Sequence, residues 1–295
     1  MNLCIEEGIK KYFGDSVKII NKSYVVGGDI NDARCLQLSN GEKVFAKLNS
    51  ISNKDFFESE EIGINAIAAT HTIQTPKLLF RGVDETSGKS YLIMEYIYGD
   101  NRINDFWHVF GQSLSSMHLA DTSSFVKSKK YGFISDNFIG ASKQINDERE
   151  SWTVFFRECR LEPQIRMAER YFDSNCRKRF LKLLDKLPEL LIEPKKPSLL
   201  HGDLWSGNYI VGNDGKAWLI DPAVYVGHAE ADIAMTELFG HFSSDFYNAY
   251  ASINPIDSGY KDRRDLYNLY HLLNHLNLFG DTYLSAVMSI LFNYT

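Results

Sequence analysis

The sequence predicts an α+β fold in which a small antiparallel sheet with one main helix precedes a larger, mainly helical part. Most of the short, β-prone apolar runs lie within the first 97 residues. From residue 106 onward, apolar residues recur mostly at the period of a helix. We therefore expect two domains, residues 1–97 and residues 98–295, with the functional site in the cleft between them.

The first two predicted strands, residues 17–26 and 34–38, flank a glycine-rich turn. Two glycines at the tip of a hairpin allow backbone N–H groups to approach a bound anion closely, which suits a nucleotide phosphate. An ordinary glycine turn is the alternative. The candidate phosphate contacts are Gly27, Gly28, Asp29, Ile30 and Asn31.

The next predicted strand, residues 42–48, contains Lys47, and the predicted helix over residues 56–69 contains Glu60. A lysine in an apolar strand is costly to bury unless a negative partner meets it. At about 100° per residue, Glu60 falls at the centre of the apolar stripe of its helix. We expect an ion pair between Lys47 and Glu60 of the kind that steadies ATP phosphates in kinases. A structural salt bridge without a ligand is the alternative.

Two further strands are predicted at residues 78–80 and 91–94, after which the β-rich part of the chain ends in residues 95–99. A backbone segment that crosses between two lobes is a natural place to hydrogen-bond the edge of an adenine. Beyond it, we predict helices over residues 106–119, 152–171 and 178–191, and several more from residue 233 to the end.

The segment from residue 201 to residue 221 carries the most informative polar pattern. Asp203, Asn208 and Asp221 are the three side chains that a phosphoryl-transfer site needs for one base and its magnesium ions. Asp203 precedes the first strand of a predicted hairpin and is free to face a substrate hydroxyl. The alternative is that each residue caps a local turn.

A strong turn signal at residues 213–215 sets the expected register of this hairpin. If Asp214 and Gly215 form a two-residue loop, Asn208 lies directly opposite Asp221. Opposed Cβ atoms on antiparallel strands are about 4.5–5.5 Å apart, so one metal ion could touch both side chains. A slip of one residue in the turn would separate them.

Composition excludes several classes of function. The net charge of -6 leaves no basic excess to bind nucleic acid or an acidic membrane. We see no signal peptide in residues 1–10 and no apolar stretch of the ~18 residues that a membrane span requires. The four cysteines form no CxxC pair, which favours reduced thiols in a cytoplasmic protein and argues against zinc. The oligomeric state stays open.

Taken together, these features resemble the fructosamine kinase (ketosamine 3-kinase) family, within the protein-kinase-like group that includes aminoglycoside and choline phosphotransferases. The resemblance runs from about residue 20 to residue 280. Its motifs are residues 27–31, 45–47, 131–133, 136–140, 152–156, 160–164, HGDLWSGN at 201–208, 221–232 and 269–275.

This resemblance implies a two-lobe kinase fold and ATP-dependent phosphorylation of the 3-hydroxyl of a ketosamine, on a small amine or a glycated protein lysine. The phosphorylated product is unstable and sheds its sugar, which implies deglycation. By position, Asp203 is the base, Asn208 and Asp221 hold Mg²⁺, and Lys47 with Glu60 contacts ATP. Adenine would be held by Met94, Glu95, Tyr96 and Ile97.

Several residues near these motifs keep two interpretations. Trp205 could pack against the sugar or its amine, or simply pack under the loop. Asp136 and Asn137 could hydrogen-bond the substrate, or they could belong to a turn that caps a helix. We expect His201 to fix the loop by a hydrogen bond, rather than to act as a second base. The expected supports of the catalytic segment are His228, Glu230 and Asp232, and the expected helix-core residues are His271 and His275.

Two departures refine the comparison with relatives. Gly202 replaces the arginine of the protein-kinase HRD motif, which favours the small-molecule branch, and the glycine loop lacks the cysteine that gives some relatives a redox switch. Two alternative functions remain at this stage. One is a phosphotransferase for another hydroxyl compound, such as an aminoglycoside or a choline-like amine. The other is a nucleotide-binding pseudokinase.

Overall fold

A five-stranded antiparallel sheet forms the first part of the molecule. The structure is a computed structural model that describes residues 3–25 and 31–295. Helix α1 (Ile5–Phe13) precedes β1 (Ile19–Tyr24), β2 (Asp32–Leu38) and β3 (Lys43–Ser50). Helix α2 (Lys54–Ala68), β4 (Leu78–Asp84) and β5 (Lys89–Glu95) follow, and the strand order is β1-β2-β3-β5-β4. The candidate phosphate residues Gly27, Gly28, Asp29 and Ile30 lie outside the described residues.

The two helices of this part cover opposite faces of the sheet, because successive side chains of β5 alternate between the faces. Tyr91 and Ile93 belong to an apolar cluster with α1, whereas Leu92 and Met94 belong to a second cluster with α2. Lys47 in β3 is paired with Leu92, and directly paired residues share a face. Lys47 is therefore directed toward α2. Helix α1 was not predicted from the sequence.

The rest of the chain is mainly helical and has one large apolar core. In chain order it contains α3 (Phe106–His118), β6 (Asn137–Ile139), β7 (Ser142–Gln144), α4 (Trp152–Phe155), α5 (Glu162–Met167), α6 (Ser174–Leu190), β8 (Ser198–Leu200), β9 (Tyr209–Val211), β10 (Ala217–Leu219), β11 (Tyr225–Gly227), α7 (Glu230–Leu238), α8 (Ser244–Ile253), α9 (Tyr260–Phe279) and α10 (Leu284–Tyr294). This arrangement confirms the predicted fold class. Strand β5 ends two residues before the predicted domain boundary, and the division into two domains stays a prediction.

The helix predicted over residues 152–171 is present but irregular. Between α4 and α5 the chain forms a π-helical stretch, Phe156–Leu161, and a 3₁₀ turn follows at Glu169–Tyr171. Pro163, at the start of α5, lacks an N–H and cannot continue a regular α-helical ladder from the preceding turn. Helix α6 also begins four residues earlier than predicted, because the Asp173 carboxylate accepts a hydrogen bond from the Cys176 N–H at 2.7 Å.

The β6–β7 hairpin reaches from the helical part of the chain to α2. The rings of Phe138 in β6 and Phe56 in α2 lie 4.1 Å apart between centroids. Helix α2 is therefore supported on one side by the sheet and on another by this hairpin. Among the described helices, none combines the length and apolar character needed to span a membrane.

Candidate active site

Lys47 lies at the centre of a three-residue ion cluster that joins the sheet to the helical part. Its Nζ is 2.6 Å from Oε1 of Glu60, so the ion pair predicted from the sequence is present. The same Nζ also contacts Oδ1 of Asp221, a partner that the sequence did not suggest. Lys47 thus connects β3, α2 and the segment after β10.

The charges of this cluster do not balance, since one ammonium group faces two carboxylates. Burial raises the pKa of Glu60 to about 7, against the attraction of Lys47. For Asp221, burial acts to raise the pKa, but the charge of Lys47 and its hydrogen bond outweigh burial and lower it. Burial alone would lower the pKa of Lys47, whereas Asp221 and Glu60 raise it. Such a site attracts a further cation.

The loop before β9 is fixed by a buried carboxylate. Asp232 accepts hydrogen bonds from the backbone N–H groups of His201 at 2.7 Å and Gly202 at 2.8 Å. The His201 imidazole lies 2.9 Å from the carbonyl oxygen of Ile220, in agreement with the predicted loop-fixing role. Gly202 has a φ of 82°, and a Cβ there would collide with the carbonyl oxygen of Ala223. A glycine is therefore required at this position.

Among the three expected supports of the catalytic segment, only Asp232 contacts the loop directly. The carboxylate of Glu230 instead pairs with Arg263 through two hydrogen bonds of 2.8 and 2.6 Å. The Nδ1 atom of His228 accepts a hydrogen bond from the Glu230 N–H at 3.2 Å. These two residues therefore stabilise the start of α7 and do not contact the loop themselves.

Asp203 presents two differently placed carboxylate oxygens. Oδ2 accepts a hydrogen bond of 2.9 Å from Nδ2 of Asn208, which also donates to the Asp203 carbonyl at 2.7 Å. Oδ1 is buried and has no hydrogen-bond partner among the described residues. Burial raises the pKa of Asp203 to about 7, although the Asn208 hydrogen bond opposes this shift. A carboxylate with such a pKa can take up a proton near neutral pH.

The predicted register of the β9–β10 hairpin is wrong by one residue. Tyr209 pairs with Leu219, and the N–H of Ile220 donates to the Asn208 carbonyl at 3.1 Å. Asn208 thus lies opposite Ile220 and not opposite Asp221. The reason is a three-residue loop, closed by a 2.8 Å hydrogen bond from Gly212 N–H to the Lys216 carbonyl. Gly215 occupies its left-handed position with a φ of 71°.

Asp221 follows this hairpin in a conformation that is uncommon for a residue with a side chain. Its φ is 53°, in the left-handed region that aspartate tolerates better than most residues. Both Nδ2 hydrogen bonds of Asn208 go to Asp203, which leaves the Asn208 amide oxygen as a possible ligand. One amide oxygen and one carboxylate are donors that Mg²⁺ prefers. The chemistry of the donor set therefore fits Mg²⁺, even though the predicted register does not hold.

Trp205 lies in the same loop with 37% of its surface exposed. Its ring lies so close to Gly207 that a Cβ at that position would collide with it. An edge-to-face contact joins it to Phe239 at 6.2 Å, and Phe239 lies 4.8 Å from the ring of His275. The loop therefore continues into a partly exposed aromatic surface, formed by Trp205, Phe239 and His275.

The prediction that Asn137 contacts substrate conflicts with the structure. The side chain is buried, its Nδ2 donates to the Val224 carbonyl at 2.7 Å, and its Oδ1 accepts from Gln144 and Asn146. Asp136 uses its carboxylate oxygens to cap the Asn146 N–H at 2.9 Å and to pair with Lys143 at 2.9 Å. Both residues therefore build the β6–β7 hairpin, a role that neither the substrate interpretation nor the helix-capping alternative predicted.

The expected adenine-binding residues lie where β5 leaves the sheet. Met94 is buried and pairs with Phe45 of β3, and the Glu95 N–H donates to the Lys77 carbonyl at 2.9 Å. Tyr96 packs edge-to-face on Tyr98 at 5.2 Å, and Ile97 lies between them in the chain. Asn31, the described residue of the glycine segment, accepts a 2.7 Å hydrogen bond from Asn49 with its Oδ1.

His271 is a residue near the site that sequence reasoning assigned only to a helix core. It is buried, as expected, but its Nδ1 is 3.8 Å from Oδ1 of Asp203. The signal in the sequence was a histidine within an apolar helical stripe, which does not reveal what the helix packs against. Only the packing of α9 against the loop places the two residues together.

Comparisons with known proteins agree with this geometry. The model of the fructosamine kinase family matches residues 1–295. A probable ketoamine kinase of Synechocystis sp. is 38% identical over 288 residues, covering 97% of this chain and 94% of that protein. A chloroplastic protein-ribulosamine 3-kinase of Arabidopsis thaliana is 40% identical over 284 residues, covering 95% and 84%. The solved structure of a candidate fructosamine-3-kinase from Haemophilus somnus superposes with a TM-score of 0.87 at 28% identity, covering 98% and 96%.

Proposed function

This chain belongs to the fructosamine kinase family and is an ATP-dependent phosphotransferase, and we propose that its acceptor is the 3-hydroxyl of a ketosamine. The observation that carries the proposal is the Asp203 carboxylate, raised in pKa to about 7 and held beside Asn208 in a fixed loop. The ketosamine is a sugar adduct on a small amine or on a protein lysine. Loss of the sugar after 3-phosphorylation makes the reaction a deglycation.

Asp203 acts as the base in this proposal. The Asp203 side chain is 19% exposed, and its Oδ1 is buried. The oxygen that reaches the cleft is therefore Oδ2. Oδ2 accepts the proton of the sugar hydroxyl as the hydroxyl oxygen bonds to the γ-phosphorus of ATP, while the bond from this phosphorus to the β,γ-bridging oxygen breaks and ADP leaves. Its hydrogen bond from Asn208 fixes the direction of the remaining lone pair. The loop anchored to Asp232 keeps the carboxylate in place during the transfer.

The nucleotide is bound by residues from both sides of the cleft. Lys47 contacts the ATP phosphates, and its ion pair with Glu60 fixes the position of the Lys47 ammonium group. Asn208 and Asp221 would hold Mg²⁺, which would neutralise negative charge on the phosphoryl oxygens. Adenine lies against residues 94–97. The phosphate-binding role of residues 27–31 stays a prediction from the sequence pattern, since residues 27–30 lie outside the described residues.

Trp205 is proposed to bind the substrate beside the base. It lies two positions along the chain from Asp203, and the aromatic surface of Trp205, Phe239 and His275 offers an apolar wall for the sugar ring or the attached amine. Aromatic rings also attract a nearby ammonium group, and the amine of a ketosamine is protonated at neutral pH. The cytoplasmic location stays a prediction from the sequence.

A substrate panel with ATP and Mg²⁺ tests the proposed acceptor. We expect turnover of a ribulosamine or a fructosamine and none of an aminoglycoside. Turnover of the aminoglycoside alone would contradict the proposal. The position of the new phosphate on the sugar, read from ³¹P–¹H correlation spectra, must be the 3-hydroxyl.

The Asp203→Ala variant tests the proposed base. We expect turnover to fall by at least the ~100-fold typical of losing a general base, while calorimetry still detects binding of a magnesium complex of a non-hydrolysable ATP analogue. The matched control is Asp214→Ala, since Asp214 lies in the turn of the same hairpin and bonds the Trp218 indole at 2.9 Å. Unchanged turnover in Asp203→Ala would remove this residue from the mechanism.

A further inference from the structure

The oxygen of Asp203 that Asn208 does not hold faces a buried histidine. Oδ1 of Asp203 lies 3.8 Å from Nδ1 of His271 in α9. Both atoms are buried, and neither has a hydrogen-bond partner among the described residues. Buried polar atoms without partners are uncommon and costly. The two unpaired atoms are 3.8 Å apart, so a small approach would pair them.

His271 is held in place from several sides. It is 3% exposed, and its backbone carbonyl accepts a 2.8 Å hydrogen bond from Nδ1 of His275. The neighbouring Tyr270 donates its hydroxyl to Gln144 at 2.6 Å, which ties this turn of α9 to the β6–β7 hairpin. These contacts fix the position of the imidazole, from which it can hold the Asp203 carboxylate.

The imidazole of His271 is neutral at physiological pH. Burial, together with the nearby charges of His275 and Arg160, lowers its pKa to about 3 against the opposing charge of Asp232. A neutral imidazole carries one N–H, which can lie on Nδ1. A neutral donor also preserves the basicity of Asp203, because a cation at this distance would lower the pKa of the carboxyl by roughly 1–3 units.

We propose that His271 is a positioning residue, whose Nδ1–H donates a hydrogen bond to Oδ1 of Asp203 in the substrate complex and keeps Oδ2 directed at the hydroxyl. The inference rests on the proposed role of Asp203 as the base. The present separation exceeds the roughly 3.2 Å limit of a good N–H···O bond, and such bonds around catalytic groups often tighten only when substrate binds. Rotation of the Asp203 carboxylate toward α9 would close this gap.

Three substitutions of one residue test this role. In His271→Asn the amide Nδ2 takes the place of the imidazole Nδ1, since both nitrogens are bonded to Cγ. His271→Gln places its amide nitrogen farther out, near the Nε2 position, and His271→Leu removes the donor. We expect kcat to fall about 10- to 100-fold in His271→Leu and His271→Gln, the range typical for losing a supporting group around a reactive site. His271→Asn should keep kcat within about threefold of the natural protein, because its donor remains.

The measurements separate positioning from a general structural effect. KM for the ketosamine and the affinity for a magnesium-bound ATP analogue should stay within about twofold in all three variants, since His271 touches neither ligand. The matched control is Asn268→Leu, a buried polar residue three positions earlier in α9, which should keep its kcat. Equal kcat in His271→Asn and His271→Gln would overturn the proposal, even if His271→Leu fails to fold.

The outcome is distinguishable from failure of the proposed function. If Asp203→Ala keeps its turnover, the role of Asp203 as base is overturned, and the role of His271 with it. If Asp203→Ala is inactive while His271→Leu turns over normally, only the positioning role is overturned. A fall in kcat with His271→Leu and recovery with His271→Asn supports both.

Discussion

Asp203 and Asp221 lie at the two ends of one short hairpin, and their surroundings act on them in opposite directions. At the start of the hairpin, burial raises the pKa of Asp203 to about 7. At its end, the charge of Lys47 outweighs burial and lowers the pKa of Asp221. Carboxylates with the same chemistry thus become suited to different tasks, one to accept a proton and the other to stay ionised beside a cation.

The difference comes from what each neighbouring segment supplies. The nearest partners of the Asp203 carboxylate are neutral, namely the Asn208 amide and the His271 imidazole of α9, and the charges of Asp221 and Asp232 act in the same direction as burial. The segment around Asp221 meets an ammonium group carried by the sheet. The division of roles therefore depends on the approach of the sheet to the hairpin. Four predictions test this comparison.

The largest expected effect comes from removing the charge that distinguishes the two ends. Lys47→Met leaves Glu60 and Asp221 without their cation, and loss of one partner from a buried ion pair typically costs about 3 kcal/mol or more of the free energy of unfolding. Urea denaturation at pH 8 without nucleotide measures this loss in the free energy of unfolding. The matched control is Lys22→Met, whose exposed pair with Glu6 should contribute less than about 1 kcal/mol. Equal losses in the two variants would contradict the prediction.

Amide substitutions at the two ends should change stability with opposite signs. Because the pKa of Asp203 is raised in the folded state, the folded protein loses stability as pH rises from about 4 to about 7 and this carboxyl ionises. An amide does not ionise, so Asp203→Asn should stabilise the protein at pH 8 by about 2–4 kcal/mol. A lowered pKa means that Asp221 contributes stability above pH 4 that disappears in acid. Since Asp221 is 39% exposed, Asp221→Asn should cost only about 1 kcal/mol.

Urea titrations of both variants between pH 3 and pH 8 measure this contrast. The Asp203→Asn difference should shrink as pH falls from about 7 to about 4, because the Asp203 carboxyl of the folded protein becomes protonated over that range, whereas the Asp221→Asn difference should shrink only below pH 4. If Asp203→Asn instead destabilised the protein at pH 8, the ionised Asp203 carboxylate would not be destabilising in the folded state. The proposed contrast between Asp203 and Asp221 would then be wrong.

Activity should follow the titration of Asp203 but not that of Asp221. We expect kcat/KM for the ketosamine, at saturating ATP, to rise about tenfold per pH unit below pH 7 and to level off above it. Glu60 also has a pKa near 7, so the same profile is measured in Glu60→Gln. If kcat/KM still rises with pH in Glu60→Gln, the rise is due to the titration of Asp203. A flat profile between pH 5.5 and pH 8 would contradict the assignment.

The smallest expected effect concerns the substrate surface at the Asp203 end. Gly207→Ala places a methyl group against the Trp205 ring and should displace it from Phe239. We expect KM for the ketosamine to rise a few-fold, about 1 kcal/mol, with little change in kcat or in nucleotide affinity. Gly212→Ala is the matched control, because its methyl group would meet the Trp218 ring in the same hairpin. Equal changes in both variants would argue against a substrate role for Trp205.

The sequence predicted best where local periodicity decides the outcome. The pairing of Lys47 with Glu60 followed from the cost of burying an unpaired lysine in an apolar strand and from the helical periodicity around Glu60, and it is present at 2.6 Å. The fold class followed from short β-prone runs in the first part of the chain and from helical periodicity in the rest. These patterns fix which face a side chain occupies, and burial of that face brings the partners together.

Details that depend on a single backbone angle or on distant packing were not predictable. A left-handed Gly215 lengthened the loop by one residue and moved Asn208 opposite Ile220. Asn137 was expected at the substrate, yet tertiary packing buries it against Val224. The contact of Lys47 with Asp221 and the approach of His271 to Asp203 join residues far apart in the chain, for which no local pattern exists.

The ring pair of Phe56 and Phe138 is one of several contacts that tie α2 to the helical part of the chain. A Cβ on Gly63 of α2 would lie 3.3 Å from Pro222 and Val224, and Ala66 and Ile67 of α2 belong to the large apolar core. After α2, the Gln74 carbonyl accepts a hydrogen bond of 2.9 Å from the Leu219 N–H. When Lys47 turns to a nucleotide, these contacts remain, so the nucleotide would displace the end of one side chain and leave the helix that carries Glu60 in place.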